Sequence, residues 1–143
     1  MKCCDIFDVF AENNNLIKEY KHWKLLVRNR NKTLGNCVAI TKKHHEALSD
    51  LTEDEMAEYA LVSRDIEHAL KKAFQYDKIH HLSLMFFDKH THFHIIPRYK
   101  KPRKFAGMEW TDDFNPDPLI QKNPPVSQEI LNKVKEEIKK HMT

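Results

Sequence analysis

Apolar residues recur at helical spacing in one long stretch of the chain. Thr52 is followed three residues later by Glu55, the pair of a capping box at a helix start. The apolar positions that follow share one helix face: Tyr59, Val62, Ile66, Ala69, Leu70 and Ala73. This spacing predicts a helix from about Thr52 to Phe74.

Shorter apolar runs, bounded by turn residues, predict strands on both sides of that helix. The stretch from Leu16 to Arg28 suits two short strands, and Gly35-Asn36 opens another from Cys37 to Ile40. After the helix, runs rich in Leu, Ile, Phe and His predict strands over Lys78–Phe87 and His90–Tyr99. Asp88 and Lys89 between them predict a tight hairpin turn.

The remaining segments are predicted as turns, an irregular stretch and a final helix. The polar runs Asn13–Asn15 and Asn29–Lys32 indicate turns, and the prolines of Met108–Pro125 indicate irregular backbone. Ser127 caps a last helix that carries Ile130, Val134 and Ile138 on one face. Because the strands are grouped instead of alternating with helices, the predicted class is α+β with a largely antiparallel sheet.

Composition narrows the class of protein. A chain of 143 residues that is 41% apolar and 31% charged suits one globular domain over residues 1–143. No apolar run approaches the ~20 residues of a membrane span, and the N-terminus lacks a signal peptide, so we expect a cytoplasmic protein without a membrane partner. The net charge of +3 is too small to predict nucleic-acid binding.

The positions of the glycines and cysteines exclude several common nucleotide-binding, disulfide and zinc motifs. The only glycines, Gly35 and Gly107, are too far apart for a P-loop or a dinucleotide-binding loop. Cys3 and Cys4 are adjacent and Cys37 is remote from them, which favours reduced thiols over a disulfide framework. The Cys-x-x-Cys spacing of zinc sites is missing, so no metal or other cofactor is expected.

The candidate chemistry lies in three alternating histidines, His90, His92 and His94. Residues two apart on a strand point to the same face, so the three imidazoles form a row ~7 Å between neighbours. Packing does not require such a row, whereas histidine acts as nucleophile, acid–base group or metal ligand near neutral pH.

The segment His90-Thr91-His92-Phe93-His94-Ile95-Ile96, with Pro97-Arg98 after it, resembles the signature of the histidine triad (HIT) family. Gly35 to His44 is similar to the upstream strand of that family, and the helix from Thr52 matches its long helix. The similarity covers a triad-bearing core of about residues 4–99, followed by a loop and helix over 100–143. The segment Phe105–Trp110 is similar to a bacterial subgroup labelled diadenosine-tetraphosphate-hydrolase-like.

The resemblance implies a HIT-like α+β fold, usually a homodimer, that cleaves a nucleotide at its α-phosphate. It implies that His92 attacks phosphorus and forms a nucleotidyl-histidine that water then hydrolyses. It assigns His90 and His94 to orienting the nucleophile and holding phosphate oxygens, which is the chemistry of a two-step displacement.

Two departures from the family pattern concern the phosphate. Asn36 stands where relatives carry a further histidine, and an amide donates a hydrogen bond but carries no charge. The glycine-rich loop before the triad is replaced by Met85–Lys89, in which Lys89 is the candidate for supplying positive charge. Arg98 at the end of the triad strand is a further candidate for meeting an anionic substrate.

Other histidines and aromatic residues favour structural roles. His44 is a zinc ligand in some relatives, but without Cys-x-x-Cys a structural or solvent role is expected. His80 and His81 begin a strand, so one ring is expected on each side of the sheet. Phe105, Trp110 and Phe114 are expected in the core.

Three functional hypotheses remain. The first is a hydrolase of nucleoside phosphoramidates, dinucleoside polyphosphates or similar conjugates. The second is a low-turnover nucleotide-binding module, suggested by Asn36 and the replaced loop. The third, a metal protein ligated by the three histidines, ranks last because no carboxylate completes the site. Turnover assays separate the first two, and elemental analysis identifies the third.

Overall fold

The computed structural model describes residues 5–30, 33–118, 123 and 125–142. Seven strands are present in this part of the chain: β1 (Leu16–Glu19), β2 (Trp23–Val27), β3 (Cys37–Thr41), β4 (Lys78–Leu82), β5 (His92–Arg98), β6 (Arg103–Phe105) and β7 (Met108–Trp110). The α-helices in the same part are α1 (Ile6–Val9), α2 (Glu12–Asn15), α3 (Glu53–Phe74) and α4 (Gln128–Lys140).

Five strands form one antiparallel sheet in the order β1-β2-β3-β5-β4. The register places Ile40 opposite His92 on β5, and Leu82 of β4 opposite His94. The strand with the histidines is therefore held on both edges, inside the sheet. This architecture, with one long helix and a C-terminal helix, confirms the predicted fold class.

Local signals place both long helices where the sequence predicts them. Thr52 caps α3: its side chain accepts from the Glu55 backbone N–H, and the Glu55 carboxylate accepts from the Thr52 N–H. Ser127 caps α4 by accepting from the Ile130 N–H at 3.2 Å. Each cap satisfies backbone donors that the first helical turn leaves unpaired.

The sheet has two differently covered faces. The main core lies between one face and helices α3 and α4, and Trp23, Leu25, Ala39 and Ile95 are buried there. The opposite face is covered near β2 and β3 by a smaller apolar cluster around α1, made of Ile6, Phe10, Leu26, Val38 and Ile40. Since Ile95 faces the main core, strand alternation turns His92 and His94 toward the α1 side.

Gly35 sets the backbone entry into β3. Its φ of +85° lies in the region that L side chains rarely adopt, and a Cβ there would stand 2.8 Å from Leu70 Cδ2 on α3. A glycine is thus required by both conformation and packing. The close approach fixes the position of the next residue, Asn36, at the start of β3.

Several predicted boundaries are wrong. β4 and β5 do pair, but β4 ends at Leu82 and residues 83–91 form a loop instead of the tight turn at Asp88-Lys89. Asn13–Asn15 belongs to the short helix α2, and the predicted irregular stretch from Met108 begins with the hairpin strand β7. Three-residue strands such as β6 and β7 are too short to produce a clear alternating pattern.

Parts of some predictions lie outside the described residues. These are Cys3 and Cys4, the end of the Asn29–Lys32 turn, and residues 119–122 and 124 of the proline-containing stretch. Within the described part of the chain, no helix combines the length and hydrophobicity needed to span a bilayer.

Candidate active site

The two histidines on β5 contact each other on the α1 side of the sheet. The rings of His92 and His94 meet edge to face with 5.0 Å between centroids. β5 begins at His92, so His90 lies just before the strand, where its side chain is only 2% exposed. Strand alternation thus accounts for the pair His92 and His94, whereas His90 is positioned by loop contacts before the strand.

The hydrogen bond of His92 fixes its tautomer. Nδ1 lies 2.7 Å from the backbone carbonyl of His90. A carbonyl only accepts, so Nδ1 donates and carries the proton of the neutral ring. Nε2 is then left with its lone pair, and no described residue forms a hydrogen bond with it. His92 has the electronic state that a nitrogen nucleophile needs.

His90 has both ring nitrogens occupied by the protein. Nε2 donates to the Thr41 carbonyl at 2.6 Å, which leaves Nδ1 as the acceptor of the neutral ring. That Nδ1 faces Nδ1 of His44 at 3.3 Å. His90 is therefore committed to holding the loop and presenting its carbonyl to His92, and it has no lone pair left for attack.

His44 lies in direct contact with the histidine row, although the sequence favours a structural or solvent role for it. Its Nδ1 donates to His90, and its Nε2 lies 2.8 Å from the Glu46 carboxylate. The partners are 46 residues apart in the chain. Only the register between β3 and β5 brings them together, so the sequence carries no local signal for this contact.

Two phenylalanines from the N-terminal segment lie against the imidazoles. The Phe7 ring is 5.6 Å from that of His90, and the Phe10 ring is 5.9 Å from both His92 and His94. Sequence reasoning misses them. Their only signal is a spacing of three residues, which places both on one side of a helical turn. They exclude water from the row on this side.

Burial and nearby charges set the protonation of His92, whose side chain is 1% exposed. Burial lowers its pKa below the ordinary 6.5, and Arg28 adds to the shift, while the hydrogen bond to His90 and the charge of Asp88 oppose it. Burial also lowers the pKa of His90. Both rings are thus kept neutral at pH 7.

This shift makes a prediction about pH. If His92 attacks as the neutral ring, kcat/KM is expected to fall with decreasing pH along a limb whose midpoint lies below 6.5. The lowered pKa also means that the contribution of His92 to stability is complete above its unfolded pKa and is lost as pH falls through the folded value. A pH–rate profile, measured where circular dichroism shows a folded protein, tests this. A limb centred above 6.5 would contradict it.

Asn36 lies immediately before β3, the strand beside β5, and is fully buried. Its Nδ2 donates to the carbonyl of Ile95 at 3.0 Å and to that of Cys37 at 3.3 Å. The amide therefore ties the start of β3 to β5. The sequence predicts that the Asn36 side chain contacts phosphate. In the structure its amide N–H groups donate to backbone carbonyls instead.

The two predicted cations lie in different places. Lys89 is exposed on the loop that leads into His90, and its charge helps to lower the pKa of Glu46, after the larger effects of the hydrogen bond from His44 and of burial, which opposes the shift. Arg98 lies at the other end of β5, ~20 Å from His92 along the strand. Lys89 precedes His90 in the chain and acts on Glu46, whereas Arg98 lies far from the histidine row.

Arg98 is engaged by an acidic partner instead. Its Nε and Nη2 donate to the two carboxylate oxygens of Asp112 at 2.9 and 3.1 Å, and both side chains are almost fully buried. Nη2 also donates to the Asn115 carbonyl at 2.5 Å. This bidentate pair fixes the segment after β7 against the end of β5.

Within the described residues, no group of three or more His, Cys, Asp or Glu side chains is placed to hold a metal ion. Cys37 is a buried free thiol on the main-core side, where burial raises its pKa, and so it is poorly suited to act as a thiolate.

The remaining predictions concern histidines and aromatic residues, and the structure agrees with all of them except the one for Phe114. His80 and His81 do face opposite sides: His80 contacts Arg98, and His81 contacts Tyr59 and Glu67. Trp110 is buried in the main core with Phe105 packed against it, as predicted. Phe114 is not in the core: it is 37% exposed.

Comparison with known proteins gives a consistent result. The sequence profile of the HIT domain matches residues 10–101. No protein among curated sequences matches the chain significantly.

Similar solved structures cover nearly the whole chain. A histidine triad protein from Bradyrhizobium japonicum superposes with a TM-score of 0.73 at 15% identity, over 93% of this chain and 94% of the other. A zinc-bound histidine triad family protein from Mycobacterium smegmatis gives 0.67 at 17% identity, over 96% and 94%. A Plasmodium falciparum diadenosine triphosphate hydrolase gives 0.66 at 17% identity, over 89% and 75%. At these identities the similarity establishes the fold.

Proposed function

Since the chain belongs to the HIT domain family, we propose that it is a nucleotide hydrolase that uses His92 to cleave nucleotide conjugates at the α-phosphate. The substrates are nucleoside phosphoramidates, dinucleoside polyphosphates or related conjugates. A diadenosine triphosphate hydrolase among the proteins of this fold supports the inclusion of dinucleoside polyphosphates.

One observation carries the proposal: the Nδ1–H of His92 is donated to the His90 carbonyl, which leaves Nε2 available. In the first step Nε2 attacks the α-phosphorus, the new N–P bond forms, and the bond to the leaving group breaks. In the second step water attacks the same phosphorus and releases a nucleoside monophosphate and neutral His92. Two smaller barriers replace one large barrier.

The surrounding residues supply positioning and positive charge. His90 orients His92 through its carbonyl, and His94 packs against the other side of the ring. Arg28 and Lys89 are cations close enough to influence His92 and Glu46 respectively. In this proposal they stabilise the charge that develops on the phosphoryl oxygens. Phe10 limits the access of water to the attacking nitrogen.

A substrate panel in water labelled with heavy oxygen tests the reaction. The panel contains an adenosine phosphoramidate, diadenosine polyphosphates and an adenylylated amino acid. We expect the label in the phosphate of the nucleoside monophosphate and none in the leaving group, because water attacks the α-phosphorus. Label in the leaving group, or turnover of none of the panel, would overturn the proposal.

A low-turnover nucleotide-binding module is the second candidate, favoured by the position of Asn36. Its amide N–H groups donate to backbone carbonyls. An amide also cannot give a phosphate the positive charge or the transferable proton that an imidazolium gives. The same panel distinguishes the two: the module binds nucleoside monophosphate but releases no product above the rate of a His92→Ala control.

Replacing Asn36 with histidine is expected to change both stability and turnover. A neutral imidazole has one N–H, so either the Ile95 or the Cys37 carbonyl loses the hydrogen bond that Asn36 donates to it in a fully buried site. The loss of one such hydrogen bond costs ~0.5–1.5 kcal/mol. Urea denaturation and kinetics across pH measure the two effects. Asn36→Ala is the matched control; identical kinetics in both variants would show that the imidazole does not act on the phosphate.

We further infer a homodimer. β4 forms an edge of the five-stranded sheet, and α3 exposes Met56 and Leu61. An outer strand edge and exposed apolar side chains are both features suited to contact with a second copy. Sedimentation at micromolar concentration is expected to show a dimer, and a monomer over that whole range would contradict the inference.

A cytoplasmic location is part of the same proposal. The supporting observation is the buried free thiol of Cys37, which suits a reducing compartment. Fractionation of cells that express the full chain from its own promoter tests the location.

A further inference from the structure

A cavity lies on the sheet away from the histidine row. It has a volume of about 320 Å³ and is lined by Lys78, His80, Arg98, Phe114, Asn115 and Pro116. That volume is at the lower end of the range of small-ligand sites, ~300–1,000 Å³. The cavity is formed where β4 begins, where β5 ends and where the segment after β7 crosses them.

The cavity is distinct from the candidate active site. Lys78 pairs with Arg98 and His80 pairs with Ile96, so these side chains and the β5 histidines share one face of the sheet. Along β5, however, Arg98 is ~20 Å from His92 and ~13 Å from His94. A ligand held against Arg98 is therefore not at the attacking nitrogen.

The lining of the cavity carries an excess of positive charge. Asp112 compensates Arg98 through two hydrogen bonds. Lys78 is exposed at the rim and forms no ion pair within the described residues. Among the lining residues, Lys78 is the charge that remains after the Arg98–Asp112 pair, and it favours an anion.

His80 adds a directed hydrogen-bond donor. Nη1 of Arg98 lies 3.2 Å from Nε2 of His80, and because a guanidinium only donates, this nitrogen accepts. Burial, followed by the charge of Arg98, lowers the pKa of His80, so the ring is neutral. Its proton is consequently on Nδ1, for which no described residue is an acceptor. Arg98 thus orients a neutral N–H donor in the cavity wall.

Phe114 supplies a flat apolar surface in a strained backbone conformation. Its φ of +56° is unusual for an aromatic residue, and its backbone N–H donates to Asp112 at 2.7 Å. The ring is partly exposed, with the Arg98 guanidinium 5.6 Å from its centre. The buried Arg98–Asp112 pair therefore holds an aromatic ring at a position where folding alone gains little from it.

We propose that this cavity is a second ligand site, which binds a small anion joined to a planar ring. Lys78 and the Nδ1–H of His80 contact the anionic group, and Phe114 stacks on the ring. Both a nucleoside monophosphate and an aromatic carboxylate have this chemistry. The site binds its ligand without bond making or breaking, and its ligand is held independently of His92.

Nuclear magnetic resonance of the His80 imidazole tests the site in the full chain. AMP, adenosine, inorganic phosphate and benzoate are titrated separately into the wild-type protein, because none of these probes is a substrate of the proposed hydrolysis. We expect AMP or benzoate to shift the His80 signal saturably and to bind more tightly than adenosine or phosphate. The tighter of the two identifies phosphate or carboxylate as the preferred anion.

Substitutions at the rim decide whether the shift reports this cavity. Lys78→Ala and Phe114→Ala are each expected to weaken binding about five-fold, the effect of one exposed charge or one stacked ring. Lys101→Ala, an exposed lysine outside the lining, is the matched control and is expected to bind normally. The proposal is overturned by an unresponsive His80 signal, by adenosine or phosphate binding as tightly as the tighter of AMP and benzoate, or by equal affinity in all three variants. These results are independent of whether His92 proves to be a nucleophile.

Discussion

His92→Ala is expected to abolish turnover of nucleotide conjugates while leaving the binding of nucleoside monophosphate in place. The variant removes the one nitrogen that the hydrogen bond to the His90 carbonyl leaves ready for attack. Loss of a covalent nucleophile costs roughly four orders of magnitude or more in kcat. His90→Ala and His94→Ala are expected to be impaired less, because these residues position the nucleophile. Steady-state kinetics and calorimetry with AMP measure the two effects.

The covalent intermediate gives an independent measurement. Wild-type protein quenched during turnover without acid is expected to carry a nucleotidyl mass on the peptide containing His92. His68→Ala, which alters an exposed histidine on α3, is the matched control and is expected to keep full activity and the adduct. An adduct on His90 or His94, or near-normal turnover by His92→Ala, would show that the assignment of the nucleophile is wrong.

Arg98→Met is expected to destabilise the fold by ~3–5 kcal/mol, because it leaves the Asp112 carboxylate charged and buried without its partner. In the wild type, burial acts to raise the pKa of Asp112, but hydrogen bonds from Arg98 and from the Tyr99 and Phe114 backbone hold it below 3.8. The stabilisation is therefore present above the unfolded pKa and is lost as pH falls through the folded value. Urea denaturation at pH 7 and at acidic pH measures both features.

A double variant separates the ion pair from the packing of the two side chains. Arg98→Met with Asp112→Asn removes both charges while keeping a side-chain oxygen as acceptor near the Tyr99 and Phe114 backbone N–H groups, and it is expected to regain part of the lost stability. If the double variant is no more stable than Arg98→Met alone, or if Arg98→Met is as stable as the wild type, the pair is not the source of the effect.

Local sequence signals predicted the elements that local interactions determine. The capping box at Thr52 and the cap at Ser127 each involve residues three apart, so both helices could be located from sequence. Alternation on β5 likewise predicted the shared face of His92 and His94. The tight turn at Asp88-Lys89 was wrong because the apolar run through Phe87 looks like strand, whereas β4 ends where its pairing with β5 ends, at Leu82.

Contacts between distant parts of the chain could not be predicted in this way. Arg98 looked like a phosphate ligand because of its charge, but its burial against Asp112 depends on how the segment after β7 returns to β5. The contact of His44 with His90 depends on the strand register. Such pairings are set by tertiary packing, which the pattern of a single segment does not contain.

The strand order also has a consequence during synthesis of the chain. β5 is inserted between β3 and β4, and β4 has no other strand partner within the described sheet. After the ribosome has released β4 and before it has released β5, β3 and β4 each expose an unpaired edge. Unpaired strand edges promote aggregation. Arrival of the triad segment closes both edges at once. The segment that carries His92 and His94 is therefore also the one whose arrival ends this interval.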